Sequence, residues 1–187
     1  MFTLPNLITI LRLVSVGPIV WLSYSLGTSG LAAAIVLFTV AAISDWLDGA
    51  LARHSGTSTT FGILMDPLVD KVMILSVLIV FVDRAILPLW LVLLNVLREL
   101  SVTAVRLGIS SRTKVFGANW MGKTKFVLQV TVLELGYVYL LFQSVQRDFP
   151  GGTLPVFWWA VLVTAVSYAF LMVFLYQNRR QLLPEGR

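Results

Sequence analysis

Residues 44–71 read SDWLDGALARHSGTSTTFGILMDPLVDK, and this stretch joins two strongly apolar runs of the chain. It contains Asp45, Asp48, Asp66 and Asp70, which are four of the six aspartates in the 187-residue sequence. Charged groups at membrane depth are costly and are usually kept for a function. The stretch therefore predicts a helical hairpin with a polar turn and a pair of carboxylates on each arm.

The composition around this hairpin is that of an integral membrane protein. Hydrophobic residues make up 58% of the chain, charged residues make up 12%, and the mean hydropathy is +0.88. Apolar runs long enough to cross a bilayer recur along the sequence. The lack of cysteine excludes a disulfide framework and thiolate catalysis. The single histidine, His54, excludes a multi-histidine metal site.

These runs predict an all-α integral membrane fold with six transmembrane helices, forming one membrane domain over residues 1–187. Polar and glycine-containing breaks separate the predicted spans. The first apolar run is interpreted as a retained span, because no basic segment precedes it and no clear cleavage site follows it. The spans are expected at roughly residues 7–26, 31–53, 61–82, 86–107, 121–146 and 155–177.

The basic residues predict the orientation of these spans. With a cytoplasmic N-terminus, Arg84 and Arg147 are the only basic residues on the far side, against twelve at the cytoplasmic ends or just inside them. The positive-inside rule then places both termini in the cytoplasm and the four aspartates near the inner interface. The net charge of +5 is accordingly attributed to the cytoplasmic face and anionic headgroups rather than to nucleic acid.

The four aspartates form two pairs at helical spacing. Asp45 and Asp48 are three residues apart, and Asp66 and Asp70 are four apart, so each pair presents one acidic face. Four carboxylates brought together would repel each other unless cations neutralise them. Oxygen ligands favour Mg²⁺, Mn²⁺ or Ca²⁺ over Zn²⁺, with water and substrate phosphate completing the coordination. The alternative, in which acidic residues at span ends are only solvated, explains one pair more readily than two.

The residues around the aspartates suit a phosphate-containing substrate. Gly49 and Gly62 let a ligand approach the backbone, since they carry no side chain. Arg53 offers a planar fork for a phosphate oxygen. The hydroxyl groups of the turn, among them Thr59, add hydrogen-bond donors, although turns favour serine and threonine in any case.

The chain resembles the CDP-alcohol phosphatidyltransferase family through the pattern Asp45-x2-Asp48-Gly49-x2-Ala52-Arg53-x8-Gly62-x3-Asp66-x3-Asp70, in which all eight fixed positions match. This resemblance implies a reaction in which an acceptor hydroxyl attacks the β-phosphorus of a CDP-linked lipid and CMP leaves. It implies a two-metal centre of Mg²⁺ or Mn²⁺ held by the four aspartates, with Asp70 also acting as the general base, and it implies a homodimer. The implied contacts to nucleotide and diphosphate are Gly49, Arg53, Thr59 and Gly62.

Further basic residues indicate the acceptor. Arg98 and Arg106 share one face of the fourth span, and Lys123 and Lys125 begin the fifth. These positions resemble the bacterial phosphatidylglycerophosphate synthase branch of the family, which implies CDP-diacylglycerol and sn-glycerol 3-phosphate as substrates and a site facing the cytoplasm at the bacterial inner membrane. The four cations are expected to hold the acceptor phosphate. The structural alternatives are a contact of Arg98 with Glu99 or with an aspartate, and a positive-inside anchor at the two lysines.

The segment Pro5-Asn6-x2-Thr9-x2-Arg12 also resembles this branch; it is expected to anchor the first span or, as the second choice, to lie near the nucleotide. Glu134 receives no clear role; it pairs with a pocket cation or lies at a subunit contact.

Two alternatives to the main hypothesis remain open. The same chemistry could use another acceptor, namely phosphatidylglycerol as in cardiolipin synthesis, inositol phosphate or serine. From a different class, the aspartates could form the pathway of a divalent-cation transporter. Their crowding at one side of the membrane, rather than through its depth, favours the enzyme.

Overall fold

The computed structural model of the protein describes residues 4–25, 27–55, 60–110 and 118–182, and in these ranges the regular secondary structure is entirely helical. Each of the six predicted spans corresponds to one helix, with ends that differ by a few residues. The all-helical fold is therefore confirmed. The helices are α1 (Leu4–Ser23), α2 (Thr28–Ser55), α3 (Thr60–Asp83), α4 (Leu89–Ser110), α5 (Ala118–Ser144) and α6 (Leu154–Leu182).

The outer surface of the bundle is apolar, as a bilayer requires. Val14, Trp21, Val36 and Met172 are between 62% and 75% exposed, which is unusual for contiguous helices in water. Within the described ranges, two segments are long and apolar enough to cross a membrane, Gly122–Ser144 and Leu154–Arg179, and shorter apolar helices cover Leu7–Ser23 and Thr28–Ser44.

The third and fifth helices each pack against three others. α3 contacts α1, α4 and α5, while α6 packs against α4 and α5. α1 contacts both α2 and α3, and these are the two arms of the hairpin that carries the aspartates. This arrangement brings residues from α1, α3, α4 and α5 together, although they are far apart in the sequence.

An aromatic core joins α2, α3 and α5. The fully buried Phe38 and Phe81 lie against Tyr137, with ring centroids 5.8 Å and 5.4 Å from that of the tyrosine. Gly136 makes this packing possible, because a Cβ atom there would lie 2.2 Å from the Phe81 ring. The Ser23 hydroxyl donates to the Ile19 carbonyl oxygen at 2.7 Å, so the Tyr137 hydroxyl, 2.8 Å away, is the donor to Ser23.

The turn between α5 and α6 lies where the sequence predicts a break. Gly151 and Gly152 have φ angles of 78° and 60°, a left-handed conformation that glycine adopts at little cost. Pro155 follows in the first turn of α6, where a missing backbone N–H breaks no helical hydrogen bond.

Candidate active site

The backbone places the two aspartate pairs on consecutive helices. Asp45 and Asp48 lie near the end of α2, and Asp66 and Asp70 lie in the first half of α3. The order of the helices agrees with the predicted hairpin, whose turn at residues 56–59 lies outside the described residues. Of the predicted metal and nucleotide residues, only Asp70 has a described side chain; the other side chains or positions lie outside the described residues, namely Asp45, Asp48, Gly49, Arg53, Thr59, Gly62 and Asp66.

The carboxylate of Asp70 is held by an arginine from another helix. Arg12 Nη1 on α1 donates to Asp70 Oδ1 at 2.8 Å, across 58 residues of sequence. Arg12 is only 4% exposed, and Asp70 is half-buried. The contact orients one carboxylate oxygen and compensates its charge. Arg12 therefore contacts the predicted general base, a partner that neither of its two predicted roles named.

Two of the four predicted acceptor cations, Arg98 and Lys125, meet at the carboxylate of Glu99. The sequence analysis gave Glu99 only as an alternative partner of Arg98. Glu99 Oε1 accepts a hydrogen bond from Arg98 Nη1 at 2.8 Å and another from Lys125 Nζ, 26 residues further along the chain. Arg98 and Lys125 are both buried. The Arg98–Glu99 contact that sequence analysis gave as an alternative is therefore present, and Lys125 joins it.

The other two predicted acceptor cations are not part of this contact as described. The side chain of Lys123 is exposed, consistent with its position two residues before the buried Lys125 on α5. The side chain of Arg106 lies outside the described residues. Their binding of the acceptor phosphate stays a prediction.

A third cation, which sequence reasoning missed, is linked to the backbone of Glu99 through a threonine. Lys71 Nζ on α3 donates to Thr103 Oγ1 at 2.5 Å, and Thr103 Oγ1 donates to the Glu99 carbonyl oxygen at 2.8 Å. Lys71 is close enough to repel the charge of Lys125. The sequence does contain one indication of this contact. Lys71, Arg98 and Lys125 lie two to three turns inside three successive helices, which places them at roughly one depth. We call Lys71, Arg98, Glu99 and Lys125 the ion cluster.

The sixth helix also contacts the ion cluster, through Arg98. Arg98 Nε donates to the Ser167 carbonyl oxygen at 3.1 Å. One turn earlier on α4, Asn95 Nδ2 donates to Thr164 Oγ1 at 2.9 Å and accepts from Gln129 Nε2 at 3.5 Å. Hydrogen bonds between buried polar groups lock α4, α5 and α6 together, so the guanidinium of Arg98 is positioned by its surroundings as well as by Glu99.

Glu134 takes no part in the ion cluster. Its Oε1 atom lies 2.7 Å from Thr39 Oγ1 on α2, and the same hydroxyl lies 2.8 Å from the Ile35 carbonyl oxygen. The threonine hydroxyl donates to the Glu134 carboxylate and is shared with the Ile35 carbonyl oxygen. Glu134 therefore contacts α2 rather than a pocket cation.

The two-metal centre stays a prediction. In the part of the chain whose side chains are described, no group of three or more aspartate, glutamate or histidine residues is placed to hold a metal ion. Three of the four predicted ligands lie outside that part. The donor set itself suits Mg²⁺ or Mn²⁺, because it consists of hard carboxylate oxygens from two consecutive helices.

Ionisable residues inside an apolar helical bundle usually mark the functional site of a membrane protein, and here they include Arg12, Asp70, Arg98, Glu99 and Lys125. Residues 2–166 match the CDP-alcohol phosphatidyltransferase family, and the chain belongs to that family. The resemblance carried by the aspartate pattern is thereby confirmed.

Relatives with named activities are similar over most of the chain. The CDP-diacylglycerol–glycerol-3-phosphate 3-phosphatidyltransferase of Bacillus subtilis (strain 168) is 33% identical over 180 residues, which cover 89% of this chain and 92% of that protein. The enzyme of the same name from Escherichia coli (strain K12) is 33% identical over 138 residues, covering 71% and 75%. A probable phosphatidylglycerophosphate synthase of Mycobacterium tuberculosis (strain H37Rv) is 40% identical over 136 residues, covering 71% and 64%.

Proposed function

We propose that this protein transfers the phosphatidyl group of CDP-diacylglycerol to sn-glycerol 3-phosphate and releases phosphatidylglycerophosphate and CMP. Family membership and the names of the relatives support the reaction. The observation that carries the choice of acceptor is the ion cluster, in which Arg98 and Lys125 contact one carboxylate and Lys71 is linked to the same residue through Thr103.

The charge of the ion cluster favours an acceptor with a phosphate group. Lys71, Arg98 and Lys125 carry three positive charges, and Glu99 carries one negative charge. A surplus of positive charge among buried groups is costly unless an anion compensates it. The phosphate of glycerol 3-phosphate supplies that anion with several acceptor oxygens, and serine, a zwitterion without phosphate, does not.

The position of Asp70 relative to the ion cluster suits proton removal from the same acceptor. Asp70 and Lys71 are consecutive on α3, so a small acceptor held by its phosphate near Lys71 can present a hydroxyl to Asp70. The hydroxyl oxygen forms a bond to the β-phosphorus while the bond from that phosphorus to the bridging oxygen breaks. CMP leaves with the electron pair, and Asp70 takes the hydroxyl proton. Arg12 keeps the carboxylate oriented for this transfer.

The hairpin supplies the donor side of the site in this proposal. Asp45, Asp48, Asp66 and Asp70 would hold two Mg²⁺ or Mn²⁺ ions. When bound, the ions would neutralise charge on the diphosphate and on the departing CMP. The nucleotide and diphosphate contacts are assigned to Gly49, Arg53, Thr59 and Gly62, and the acceptor phosphate is assigned to Arg98, Arg106, Lys123 and Lys125.

The membrane arrangement completes the proposal. Residues 1–187 form one domain of six transmembrane helices, with both termini and the active site at the cytoplasmic side of the bacterial inner membrane, and the protein forms a homodimer. The excess of basic residues at one end of the predicted spans supports the orientation. The family resemblance alone supports the dimer.

The test uses the full-length protein in liposomes that contain CDP-diacylglycerol. Addition of sn-glycerol 3-phosphate with Mg²⁺ should release CMP and form phosphatidylglycerophosphate in equal amounts. A chelator should stop the reaction, and added Mg²⁺ or Mn²⁺ should restore it. CMP release that does not depend on glycerol 3-phosphate would contradict the proposed acceptor, and metal flux without lipid turnover would favour the transporter.

A further inference from the structure

The structure assigns to Glu99 the role of setting the charge selectivity of the acceptor pocket. In the free enzyme its carboxylate binds Arg98 and Lys125, and the dianionic phosphate of the acceptor replaces the carboxylate at these cations. This inference rests on the proposed function, because it assumes that the ion cluster binds the acceptor.

The first argument is geometric. One oxygen of Glu99 accepts hydrogen bonds from two buried cations that belong to different helices, α4 and α5. A phosphate oxygen placed between Arg98 and Lys125 would make the same contacts. The Glu99 carboxylate thus lies where the phosphate of an anionic ligand would bind.

The second argument concerns charge balance. The three cations of the cluster exceed its one carboxylate by two charges. A phosphate monoester, whose second pKa is about 6, carries about two negative charges at pH 7.5. The monoester therefore neutralises the cluster, whereas a phosphodiester with one charge leaves it positive. Without Glu99 the surplus would be three, so anions would bind more tightly but a dianion would no longer neutralise the cluster.

The third argument is that two of the three cations have supports other than the Glu99 carboxylate. Arg98 Nε is fixed by the Ser167 carbonyl oxygen, and Lys71 is fixed by Thr103. Thr103 in turn bonds to the backbone of Glu99 rather than to its carboxylate. The Glu99 side chain can therefore rotate away while Arg98 and Lys71 stay in place.

The decisive variant is Glu99→Gln, which keeps an oxygen acceptor and removes the charge. It should lower the KM for sn-glycerol 3-phosphate and the inhibition constant of inorganic phosphate by roughly three- to tenfold, because the competing carboxylate is gone. Glu134→Gln is the matched control, since it makes the same change outside the ion cluster and should leave both constants unchanged. An increase of either constant in Glu99→Gln, or an equal change in the control, would overturn the inference.

A second variant tests the charge count independently of Glu99. Lys71→Met reduces the surplus to one and should raise the inhibition constant of inorganic phosphate at least tenfold. An unchanged constant would remove Lys71 from the pocket and contradict the inference, even if Glu99→Gln does not accumulate as folded protein.

The two proposals fail in distinguishable ways. A wild-type protein that forms no product from sn-glycerol 3-phosphate refutes the proposed function and this inference with it. An active wild-type enzyme whose phosphate inhibition is insensitive to either substitution refutes the role of Glu99 alone.

Discussion

The aromatic core around Tyr137 and the ion cluster around Glu99 both connect helices that are distant in sequence, but they do so by opposite means. At Tyr137, two buried rings and a glycine without a side chain fill the space between α2, α3 and α5. At Glu99, cations from α4 and α5 meet at a single carboxylate, and a cation from α3 is linked to the same residue through Thr103. The first contact is complete within the chain, and the second leaves positive charge to be neutralised.

This difference shows which interior contacts serve the fold and which serve a ligand. The Tyr137 hydroxyl donates to Ser23, and Ser23 donates to a carbonyl oxygen, so both of these hydroxyl groups have partners within the chain. The ion cluster has compensating hydrogen bonds but an excess of charge. Substitutions at the core should therefore change stability and leave substrate binding alone, whereas substitutions at the site should do the reverse.

The largest effect is expected for Asp70→Asn. The amide cannot take a proton from the acceptor hydroxyl, so the rate of CMP release should fall by about 10²- to 10⁴-fold. The amide oxygen still accepts from Arg12, so the protein should remain folded. Stopped or continuous assays of CMP release, paired with thermal unfolding in detergent, measure both effects. A rate within tenfold of wild type would rule out Asp70 as the base.

Arg106→Ala should have the next largest effect. Loss of this predicted phosphate contact should raise the KM for sn-glycerol 3-phosphate about tenfold with little change in kcat. Arg147→Ala is the control, because it removes the same charge from an exposed position outside the proposed pocket. Equal KM values for Arg106→Ala and wild type would exclude Arg106 from acceptor binding.

Gly136→Ala tests the aromatic core. The added methyl group would overlap the Phe81 ring, which is fully buried and has little room to move. The substitution should lower the free energy of unfolding by about 1–3 kcal/mol and leave the acceptor KM unchanged. The control is Gly17→Ala on α1, where the new methyl group meets nothing within 4 Å. Indistinguishable melting temperatures for the two variants would show that the close contact at Gly136 is not required.

The smallest effect is expected for Tyr137→Phe. The ring remains in the core, and only the hydrogen bond to Ser23 is lost, so the free energy of unfolding should fall by about 0.5–1.5 kcal/mol. Denaturation in detergent, together with acceptor kinetics, measures this prediction. A raised acceptor KM without loss of stability would contradict the division between core and site.

The sequence predicted the helices well because each one is an apolar run interrupted by polar or glycine-containing breaks. The breaks at Gly27 and at 150–152 agree with the ends of α1 and α5 and with the starts of α2 and α6. The local spacing of the aspartates also sufficed to predict two acidic faces on consecutive helices, because that inference needs only the helical period.

Contacts between helices could not be predicted in the same way. Arg12 and Asp70 are 58 residues apart, and nothing in their local sequence shows that α1 lies against α3 at that level. Lys71 was overlooked because a lysine after an aspartate at a span end is normally interpreted as an anchor. Its partner Thr103 and the neighbouring Lys125 become apparent only when the packing of α3, α4 and α5 is known.

The central claim is that the ion cluster selects an acceptor with a phosphate monoester. The most direct measurement is the kcat/KM of the wild-type enzyme, with labelled CDP-diacylglycerol, for sn-glycerol 3-phosphate, glycerol, serine, inositol phosphate and phosphatidylglycerol. We expect sn-glycerol 3-phosphate to exceed glycerol, serine and phosphatidylglycerol by at least about 100-fold, since the buried cations are neutralised only by a dianion. Comparable values for glycerol or phosphatidylglycerol would contradict the claim.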